Sequence, residues 1–439
     1  MSTPKPLKVA IVGGGISGIC LAVGLLDQPQ LELTIFEASP AFTEIGAGLA
    51  LGPNAQRALK LLSPDAEAAF WHFATGNSSP EFSKTWFNFR RQAQGHEDGL
   101  ELGSIENQSG QQTVHRAKFL DALINLVPKD RVQFGKRLLR ISDHGAYTVL
   151  HFANGTAART NCVIGADGVH STVRKYLLGA TSPEATPVFS GIVAYRGLIP
   201  MEIARHSLSK YASDAYLWCS NEGMVMSYPI NSGQVVNVVA ACYRESWNEK
   251  VYVLNTTLEQ MRKDFQSFEG IPQEIIKVHS IALPSFFDDP RLTFDKLLGK
   301  PMIWAMLEHL PAAQYNAKNV AIIGDAAHAT TPFQGAGAGQ AIEDALILSQ
   351  LLGRVQCVHE IAPALAAYNT VRRPRTEMVI QTSREAMKLY TLADSAETWK
   401  QAWDGRMNWI WDIDLEAHIA EALEILRQND QVSCSCYMV

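Results

Sequence analysis

The most informative segment of this chain is Ile322-Ile323-Gly324-Asp325-Ala326-Ala327-His328, with Thr331-Pro332-Phe333-Gln334-Gly335-Ala336-Gly337-Ala338-Gly339 just after it. It is matched at the other end of the chain by Gly13-Gly14-Gly15-Ile16-Ser17-Gly18. A nucleotide-binding fingerprint at one end and a second glycine-rich turn at the other indicate one long cofactor that the fold holds from both sides.

The N-terminal segment predicts the opening βαβ unit of a doubly wound fold. Residues 8–12 form a short β-rich run, residues 16–26 continue with helical periodicity, and residues 31–37 follow as a second strand. The glycine run splits the apolar stretch into a strand and a helix, so it predicts neither a signal peptide nor a membrane span.

The glycine fingerprint lies between that strand and that helix. Gly13, Gly15 and Gly18 satisfy G-x-G-x-x-G, in which absent side chains let backbone N–H groups and a helix N-terminus approach a pyrophosphate. Glu37 follows 19 residues after Gly18, where a carboxylate would meet ribose hydroxyls. Alone, the pattern leaves a purely structural glycine turn open and does not distinguish NAD from FAD. The pairing with the distant second turn favours FAD.

The remaining pattern predicts the α/β class: a doubly wound, Rossmann-like FAD-binding lobe, an antiparallel-sheet substrate lobe and a helical C-terminal region. The observations are hairpin-like alternation over 132–164, longer strands between 183 and 283, and helical patterns over 337–352 and 363–390. The expected division is an FAD-binding lobe over 1–182 and 291–392, a substrate-binding lobe over 183–290 and a C-terminal helical tail over 393–439.

Composition and charge narrow the class of protein. An apolar share of 47% and a charged share of 19% are typical of a soluble globular protein. The net charge of −6 and the absence of a Lys/Arg block argue against nucleic acid as a partner. The spacings of His, Cys and acidic residues predict no metal site.

The cysteines and the tail bear on location and assembly. Seven cysteines without a C-x-x-C pair indicate reduced thiols, so we expect a cytoplasmic protein without stable membrane association. The tail carries Trp399, Trp403, Trp409 and Trp411, then Leu415, Ile419, Leu423 and Leu426 at helical spacing. This pattern is typical of core packing or of the subunit contact of a homodimer.

Two further segments decide between the nucleotide cofactors. Cys162-Val163-Ile164-Gly165-Ala166-Asp167-Gly168-Val169-His170-Ser171 and the segment around Asp325 resemble class A flavin monooxygenases of the p-hydroxybenzoate hydroxylase type. The resemblance implies that the fingerprint holds the ADP half of FAD and that Asp167 lies near the pyrophosphate and takes part in NAD(P)H binding. It also implies that Asp325 accepts a ribityl hydrogen bond and that the amides of Gly337 and Ala338 face flavin N1 and the C2 carbonyl. A helix N-terminus there would stabilise the anionic reduced flavin.

Within that family the likeness is greatest to salicylate hydroxylase and to fungal hydroxylases of aromatic polyketides. Gly46-Ala47-Gly48-Leu49-Ala50 resembles the flavin-contacting loop of this branch, which assigns Gly48 and Ala50 to the cofactor. Val114-His115-Arg116 resembles the segment whose arginine bonds the cofactor. A salt bridge at a helix N-terminus is the alternative role for Arg116, and packing beside the flavin loop is the role expected of His328.

Two residues of the substrate lobe are the candidates for catalysis. Arg196 interrupts an apolar strand, where its charge is costly to bury without an anionic partner, so we expect it to bind a substrate phenolate or carboxylate. Tyr228 resembles the tyrosine that positions phenolic substrates in the polyketide hydroxylases. An inter-lobe salt bridge for Arg196 and a hydrogen-bonded core position for Tyr228 remain open. The strand around Tyr228 contains no histidine, which suggests a phenol that binds already ionised.

The resemblance implies an activity with FAD as cofactor and NADPH or NADH as transient reductant. FAD would be reduced, O2 would be captured as a flavin C4a-hydroperoxide, and oxygen would pass to a small phenolic aromatic substrate, in a dearomatising reaction if the attacked carbon carries a methyl group. A decarboxylating salicylate-type hydroxylase is the near alternative. A flavin oxidase or reductase without oxygen insertion, and a non-catalytic flavin-containing ligand-binding protein, are the distant ones. The sequence names neither the substrate nor the preferred nicotinamide nucleotide.

Overall fold

A computed structural model of the chain describes residues 5–42, 48–93, 95–249, 251–279, 301–392 and 395–436. The strands are β1 (Leu7–Val12), β2 (Leu31–Phe36), β3 (Gly48–Ala50), β4 (Thr85–Ala93), β5 (His96–Glu106), β6 (Thr113–His115), β7 (Val132–Gln133), β8 (Leu138–Asp143), β9 (Thr148–Phe152), β10 (Ala157–Thr160), β11 (Cys162–Gly165), β12 (Val188–Pro200), β13 (Tyr216–Cys219), β14 (Gly223–Ile230), β15 (Val235–Tyr243), β16 (Val253–Asn255), β17 (Met302–Glu308), β18 (Asn316–Ala317) and β19 (Val320–Ile322). The helices are α1 (Ile16–Leu25), α2 (Pro53–Leu62), α3 (Pro64–Phe73), α4 (Arg116–Ile124), α5 (Thr172–Leu178), α6 (Met201–Leu208), α7 (Leu258–Asp264), α8 (Ile271–His279), α9 (Asp325–His328), α10 (Gly337–Leu352), α11 (Ile361–Leu392), α12 (Ala396–Trp403), α13 (Asn408–Trp411) and α14 (Leu415–Cys436).

The first sheet has six strands in the order β18-β19-β11-β1-β2-β7. Its neighbours pair in parallel except for the edge pair β18–β19. The central strand β1 is almost wholly buried, which explains its unbroken apolar run. Helix α1 packs closely on α2 and α10, and a Cβ at Gly24 would lie 2.5 Å from Leu62 and 2.9 Å from Ser349. The predicted doubly wound lobe is confirmed.

Between β7 and β11 the chain forms the predicted hairpins. Strands β8, β9 and β10 make a separate three-stranded antiparallel sheet. The turns contain Gly145 and Gly155, whose φ values of 75° and 79° are in the left-handed region that glycine tolerates. The flanking strands β7 and β11 join the parallel sheet instead.

The second large sheet has eight strands in the order β16-β17-β12-β15-β14-β13-β4-β5. All neighbours are antiparallel except β13 and β4, which confirms the predicted antiparallel substrate sheet. It takes β4 and β5 from before residue 183 and β17 from after residue 290. The proposed lobe boundaries therefore describe the main chain segments rather than every strand, and the boundary at 290 lies outside the described residues.

The C-terminal region is helical, as predicted. Helix α11 runs through Pro374 without ending, and α14 packs against α10 and α11. Leu415 and Leu426 are buried in the core of the first lobe. The amphipathic pattern of α14 thus serves packing within the chain, and a homodimer stays a prediction.

The sequence analysis considered membrane spans and the state of the cysteines, and the structure bears on both. No helix of the described segments is both long and apolar enough to cross a membrane. Cys20, Cys162, Cys219 and Cys242 are buried free thiols, whereas Cys357 is an exposed one.

Candidate active site

The sequence motifs meet at one edge of the parallel sheet. Val12 of β1 pairs with Gly165 of β11 and with Phe36 of β2, and Gly165 pairs with Ile322 of β19. The segments that follow these four residues therefore leave adjacent strands side by side at the carboxyl ends of the strands. This is the edge at which doubly wound sheets bind nucleotides.

The glycines of the fingerprint have separate structural tasks. Gly13 has a φ of 107°, and a Cβ there would lie 2.2 Å from the carbonyl oxygen of Ala166. A Cβ at Gly18 would lie 2.1 Å from the carbonyl oxygen of Gly13, so this glycine lets α1 approach the turn. Gly15 precedes α1 and has nothing within 4 Å of such a Cβ. The first and last glycines thus satisfy packing, and the middle one faces open space.

Glu37 is fixed beside this turn. Its Oε2 accepts a hydrogen bond from the Gly14 N–H at 2.8 Å, and its Oε1 accepts one from the Ser39 N–H at 2.7 Å. A carboxylate retains further acceptor capacity after these bonds. The structure therefore holds the predicted ribose ligand in place at the end of β2.

Asp167 has a task that the sequence did not predict. Its carboxylate accepts hydrogen bonds from the Ser171 hydroxyl and from the N–H groups of Thr172 and Val173 at 2.7 and 3.2 Å. Burial raises its pKa, and these hydrogen bonds act against the rise. Asp167 caps the N-terminus of α5, while its neighbours Ala166 and Gly168 line the central cavity. The contact of this segment with a cofactor stays a prediction.

Asp325 is placed differently from Asp167. It begins α9, is exposed and lines the cavity. Gly337 begins α10 and also lines the cavity, and the nearest atom to a Cβ there is Thr330 Cγ2 at 3.7 Å. The predicted start of α10 at Gly337 is confirmed, and the backbone amides at its start face the same space as the Asp325 carboxylate.

Behind this turn lies a largely buried ion cluster that sequence reasoning missed. Arg372 donates to Glu343 Oε2 at 2.5 Å and to Asp344 Oδ1 at 2.8 Å, and Arg375 forms a bidentate pair with Glu343. Asp344 Oδ2 also accepts from the Gly324 N–H at 3.0 Å and lies 2.5 Å from His328 Nε2. The cluster ties α10 and α11 to the turn that carries Asp325. His328 thus supports the turn, and the expected packing role is supplemented by a hydrogen bond to Asp344.

One face of the antiparallel sheet forms the opposite wall of the cavity. Five register partners share this face across five strands, because residues directly opposite one another on paired strands point to the same face. They are Arg196, Val239, Met226, Leu217 and Phe89. The other face packs on α6 and α8, so the sheet separates the cavity from a second core. The cavity has a volume of about 350 Å³.

Arg196 is the charged residue of that wall. Its Nε is buried with no hydrogen-bond partner in the described structure, and its guanidinium lies 5.4 Å from the ring centre of Trp304. Burial lowers its pKa; Tyr228 raises it, and the charge of Arg116 lowers it further. No described carboxylate neutralises Arg196, so an inter-lobe salt bridge is not formed in the described residues.

Tyr228 lies directly beneath the β3 strand. A Cβ at Gly48 would lie 2.8 Å from Cε2 of Tyr228 and 3.0 Å from its hydroxyl oxygen, so only glycine allows this approach. Burial raises the pKa of Tyr228 to about 12, although the charge of Arg196 acts in the opposite direction. Tyr228 lines the cavity together with its register partner Asn237. The hydroxyl is therefore a hydrogen-bond donor at neutral pH rather than a base.

Arg116 and Ala50 are brought to the same wall by a two-stranded sheet. Strand β3 pairs with β6, and Arg116 follows β6 as the first residue of α4. Gly48, Ala50 and Arg116 all line the cavity. Gly46 and Ala47 of the quoted loop lie outside the described residues. Nine of the predicted site residues line the cavity, whereas Gly13, Gly18, Glu37 and Asp167 are not among its lining residues.

The C-terminal region closes the cavity, which sequence reasoning did not predict. Trp403 of α12 and Met407 line it, and both are almost completely buried. The ring of Trp403 stacks on Tyr390 at 4.9 Å and lies 5.6 Å from Phe89. The cluster of tryptophans was the available signal, but their composition alone does not say what they pack against.

The residues fit FAD on several observations. A Cβ at Gly15 would meet open space, and the nearest atom to a Cβ at Gly337 lies 3.7 Å away. Asp325 presents a carboxylate, and the cavity continues to Arg196, whose Nε has no hydrogen-bond partner among the described residues. A dinucleotide with a flavin ring requires this combination of phosphate turn, polar acceptor and apolar chamber. Within the described residues, no group of three or more His, Cys, Asp or Glu side chains is arranged to hold a metal ion.

Comparisons with known proteins agree with this geometry. A sequence model described as FAD binding domain matches residues 294–383. The chain is 49% identical over 435 residues to 6-methylsalicylate 1-monooxygenase of Aspergillus terreus, covering 97% of this chain and 93% of that protein. It is 35% identical over 430 residues to a salicylate hydroxylase of Pseudomonas putida, covering 95% and 94%. A solved salicylate hydroxylase substrate complex has a TM-score of 0.82 and 29% identity, covering 96% of this chain and 98% of that one.

Similarity of this extent over nearly the whole chain confirms the predicted fold class, the FAD cofactor and the enzyme class. NAD(P)H is the reductant typical of the class. The chain belongs to the class A FAD-dependent aromatic monooxygenases of the p-hydroxybenzoate hydroxylase type, in the branch that includes salicylate hydroxylase.

Proposed function

We propose that this monooxygenase hydroxylates a phenolic acid of the salicylate class and releases its carboxylate as CO2. The observation that carries the proposal is the guanidinium of Arg196, which lines a mainly apolar cavity and whose buried Nε has no hydrogen-bond partner among the described residues. A buried charge without a partner is costly, and a substrate anion would remove that cost on binding. The names of the relatives, 6-methylsalicylate 1-monooxygenase and salicylate hydroxylase, point to a carboxylate as that anion.

The proposed cofactor ligands are those on the parallel-sheet edge and on the facing loops. Bound FAD supplies the chemistry that takes electrons from NAD(P)H and activates O2. Its ADP half would be held by Gly13, Gly15, Gly18 and Glu37, its pyrophosphate by the segment around Asp167, its ribityl chain by Asp325, and its ring by Gly48, Ala50, Arg116, Gly337 and Ala338. The N-terminus of α10 carries no acidic residue in its first turn, so its positive end is available to an anionic ring.

The substrate is oriented by two side chains on adjacent residue rows of the antiparallel sheet. Arg196 binds the carboxylate, and Tyr228 donates a hydrogen bond to the ring oxygen. Fixing the substrate ring in this way makes oxygen transfer from the bound cofactor an effectively unimolecular step. The apolar wall and the C-terminal closure exclude water, which favours coupling over release of peroxide.

The substrate phenol must also lose its proton before oxygen transfer. The described residues lining the cavity include no histidine, and the pKa of Tyr228 is raised to about 12 by burial. The cations Arg196 and Arg116 both favour the ionised phenol. We therefore propose that the ring reacts as a phenolate without a histidine base.

The overall reaction balances with one NAD(P)H and one O2. One oxygen atom enters the ring at the carbon that loses CO2, and the other leaves as water with the two electrons from NAD(P)H. Phenol hydroxylation without loss of CO2, including the dearomatising reaction, would instead add one oxygen to the substrate. The mass of the product therefore separates the two reactions.

The test uses purified holoenzyme with NADH or NADPH and a panel of salicylate, 6-methylsalicylate and hydroxylated aromatic aldehydes. We expect substrate-accelerated bleaching of the flavin, O2 consumption and a product that lacks the carboxylate. A product heavier by one oxygen would replace the decarboxylating reaction by simple hydroxylation. Stoichiometric peroxide would indicate an oxidase, and no acceleration with any compound would indicate a ligand-binding flavoprotein.

A further inference from the structure

The cavity has a charged end and an apolar end that lie far apart on the sheet. Four register steps lead from Arg196 on β12 to Phe89 on β4, through β15, β14 and β13. At about 4.8 Å per strand, these steps separate the two backbones by about 19 Å along the sheet. A hydroxybenzoate ring held at Arg196 is much shorter than this.

The apolar end is built jointly by the sheet and the C-terminal region. Phe89 and Leu217 form the sheet side, and Trp403 and Met407 form the C-terminal side. Both C-terminal residues are almost completely buried, with Trp403 3% exposed and Met407 2% exposed. The stacking of Trp403 on Tyr390 at 4.9 Å and an interplanar angle of 10° holds the indole in one orientation.

We propose that Trp403 and Met407 are specificity-determining residues that contact an apolar substituent of the substrate ring. The preferred substrate is then an alkyl-substituted hydroxybenzoate, with its anionic group toward Arg196 and its alkyl group toward the C-terminal wall. This inference rests on the proposed function and deepens it. An apolar pocket binds a ligand more tightly with each methylene that it buries, so chain length is the property this wall can select.

Substitutions of Trp403 and Met407 should change which substituent lengths the enzyme prefers. Replacing Trp403 by leucine or Met407 by alanine enlarges the apolar end while leaving Arg196 and Tyr228 in place. One methylene changes selection in an apolar pocket by roughly 10- to 200-fold. The enlarged pocket should therefore accept chains that the native wall excludes.

The experiment compares kcat/KM for salicylate with that for its methyl, propyl and pentyl derivatives, substituted at the 6- or the 4-position of the ring. The enzymes are native holoenzyme, Trp403→Leu, Met407→Ala and the control Trp399→Leu. Trp399 lies on the same helix, is 5% exposed and packs 5.2 Å from Phe89, but it does not line the cavity. The ratio of two substrates on one preparation does not depend on the fraction of folded enzyme.

We expect both cavity variants to raise the pentyl-to-parent ratio by at least about tenfold in one of the two series, and the control to stay within about twofold. Ratios within about twofold of native for both variants would overturn the inference while leaving the proposed function standing. A changed affinity for FAD with an unchanged ratio would also overturn it, since the wall would then belong to the cofactor. Failure of native enzyme to accept any hydroxybenzoate would remove the proposed function itself, and this inference with it.

Discussion

At the scale of single residues, we propose that the charge of Arg196 selects an anionic substrate. An arginine in an apolar strand was visible in the sequence, and the structure adds that no described carboxylate pairs with it. The sequence could identify the candidate because buried charge is rare. It could not identify the partner, since that depends on strands distant in the chain.

Substitution of Arg196 should weaken the productive binding of carboxylate substrates. We expect Arg196→Met to lower kcat/KM for salicylate-class acids by roughly 30-fold to several thousand-fold, equivalent to 2–5 kcal/mol for a buried charge pair. Arg196→Lys should recover only part of this loss because the planar fork is absent. Steady-state kinetics with the acids and with phenols lacking a carboxylate provide the measurement. An equal loss for both substrate types would contradict the assignment of Arg196 to the carboxylate.

The raised pKa of Tyr228 leads to a prediction about pH. Burial raises this pKa from the ordinary value of 10.0 to about 12, so the hydroxyl stays protonated throughout pH 6–9. We expect Tyr228→Phe to lower the single-turnover hydroxylation rate by roughly 10- to 100-fold, the cost of a hydrogen bond to a charged group. The shape of the pH profile between 6 and 9 should not change. A profile that follows an enzymic group near neutrality, lost on substitution of a histidine, would contradict binding of the phenolate.

Asp167 illustrates the limit of motif reasoning at this scale. The Asp-Gly segment was correctly placed beside the fingerprint, because both follow adjacent parallel strands. The direction of its side chain could not be predicted, since Ser171 and the amides of α5 compete for the carboxylate. A motif fixes the position of a backbone more reliably than the partner of a side chain.

At the scale of elements, the ion cluster between α10 and α11 holds the turn that carries Asp325. Pro374 lies inside α11, where it removes a helix hydrogen bond at a cost of about 3 kcal/mol or more. Arg372 and Arg375 flank it and bind Glu343. The sequence predicted the bounds of both helices well from periodicity, but the pairing of charges between them depends on how the helices pack.

Breaking this cluster should destabilise the protein strongly. Arg372→Met leaves Glu343 and Asp344 buried without their main cation, so we expect a loss of about 3–5 kcal/mol in the free energy of unfolding. Arg373→Met is the matched control, since the neighbouring Arg373 is 32% exposed and pairs with Glu377 one turn away. The control should cost about 1 kcal/mol or less. Denaturant unfolding of both variants is the measurement, and equal losses would contradict the role given to the cluster.

The same ion cluster predicts how the free energy of unfolding depends on pH. Burial alone raises the pKa of Glu343, but the charges of Arg372 and Arg375 outweigh it and lower the pKa from 4.5 to about 2. Burial likewise raises the pKa of Asp344, but the interactions with His328 and Arg372 outweigh it. The net result is a lowering of this pKa from 3.8 to about 2. Lowered pKa values contribute stability that is present above the unfolded values and is lost as pH falls through the folded ones.

We therefore expect the free energy of unfolding to fall between about pH 4.5 and pH 2 through these two groups. Denaturant midpoints at a series of pH values measure this fall. Glu343→Gln should make the dependence shallower in that window, because one of the two titrating groups is removed. Glu424→Gln, on the exposed surface of α14, should leave the dependence unchanged because water screens its ion pair. A native-like slope in Glu343→Gln would contradict the prediction.

At the scale of the whole molecule, the order of the motifs was sufficient to predict a cofactor held by both ends of the chain. Strands β1, β11 and β19 come from three distant segments and become neighbours in one sheet. The closure of the cavity by α12 and the loop after it could not be predicted in this way. Tryptophans pack against many surfaces, and no local pattern names the surface.

A cofactor that joins distant segments should stabilise the molecule as a whole, and Gly15 offers a way to separate binding from folding. A Cβ at Gly15 has nothing within 4 Å and its φ is −75°, so Gly15→Ala should leave the unfolding midpoint of the apoprotein unchanged. The added methyl group lies where the pyrophosphate is expected, so FAD affinity should fall at least about tenfold. Gly18→Ala is the contrasting variant, because its Cβ would lie 2.1 Å from the Gly13 carbonyl oxygen and should destabilise the apoprotein itself.

Thermal unfolding with and without added FAD, together with a flavin titration, measures both effects. Saturation at 100 times the dissociation constant stabilises a protein by about 2.7 kcal/mol, so the native chain should gain clearly on adding FAD. Gly15→Ala should lose most of that gain at the same FAD concentration, since its site is filled to a smaller extent. Native affinity and native stabilisation in Gly15→Ala would mean that the pyrophosphate does not approach the fingerprint at this residue. The two ends of the chain would then have to be joined through the contacts of the flavin ring with the turn before α10.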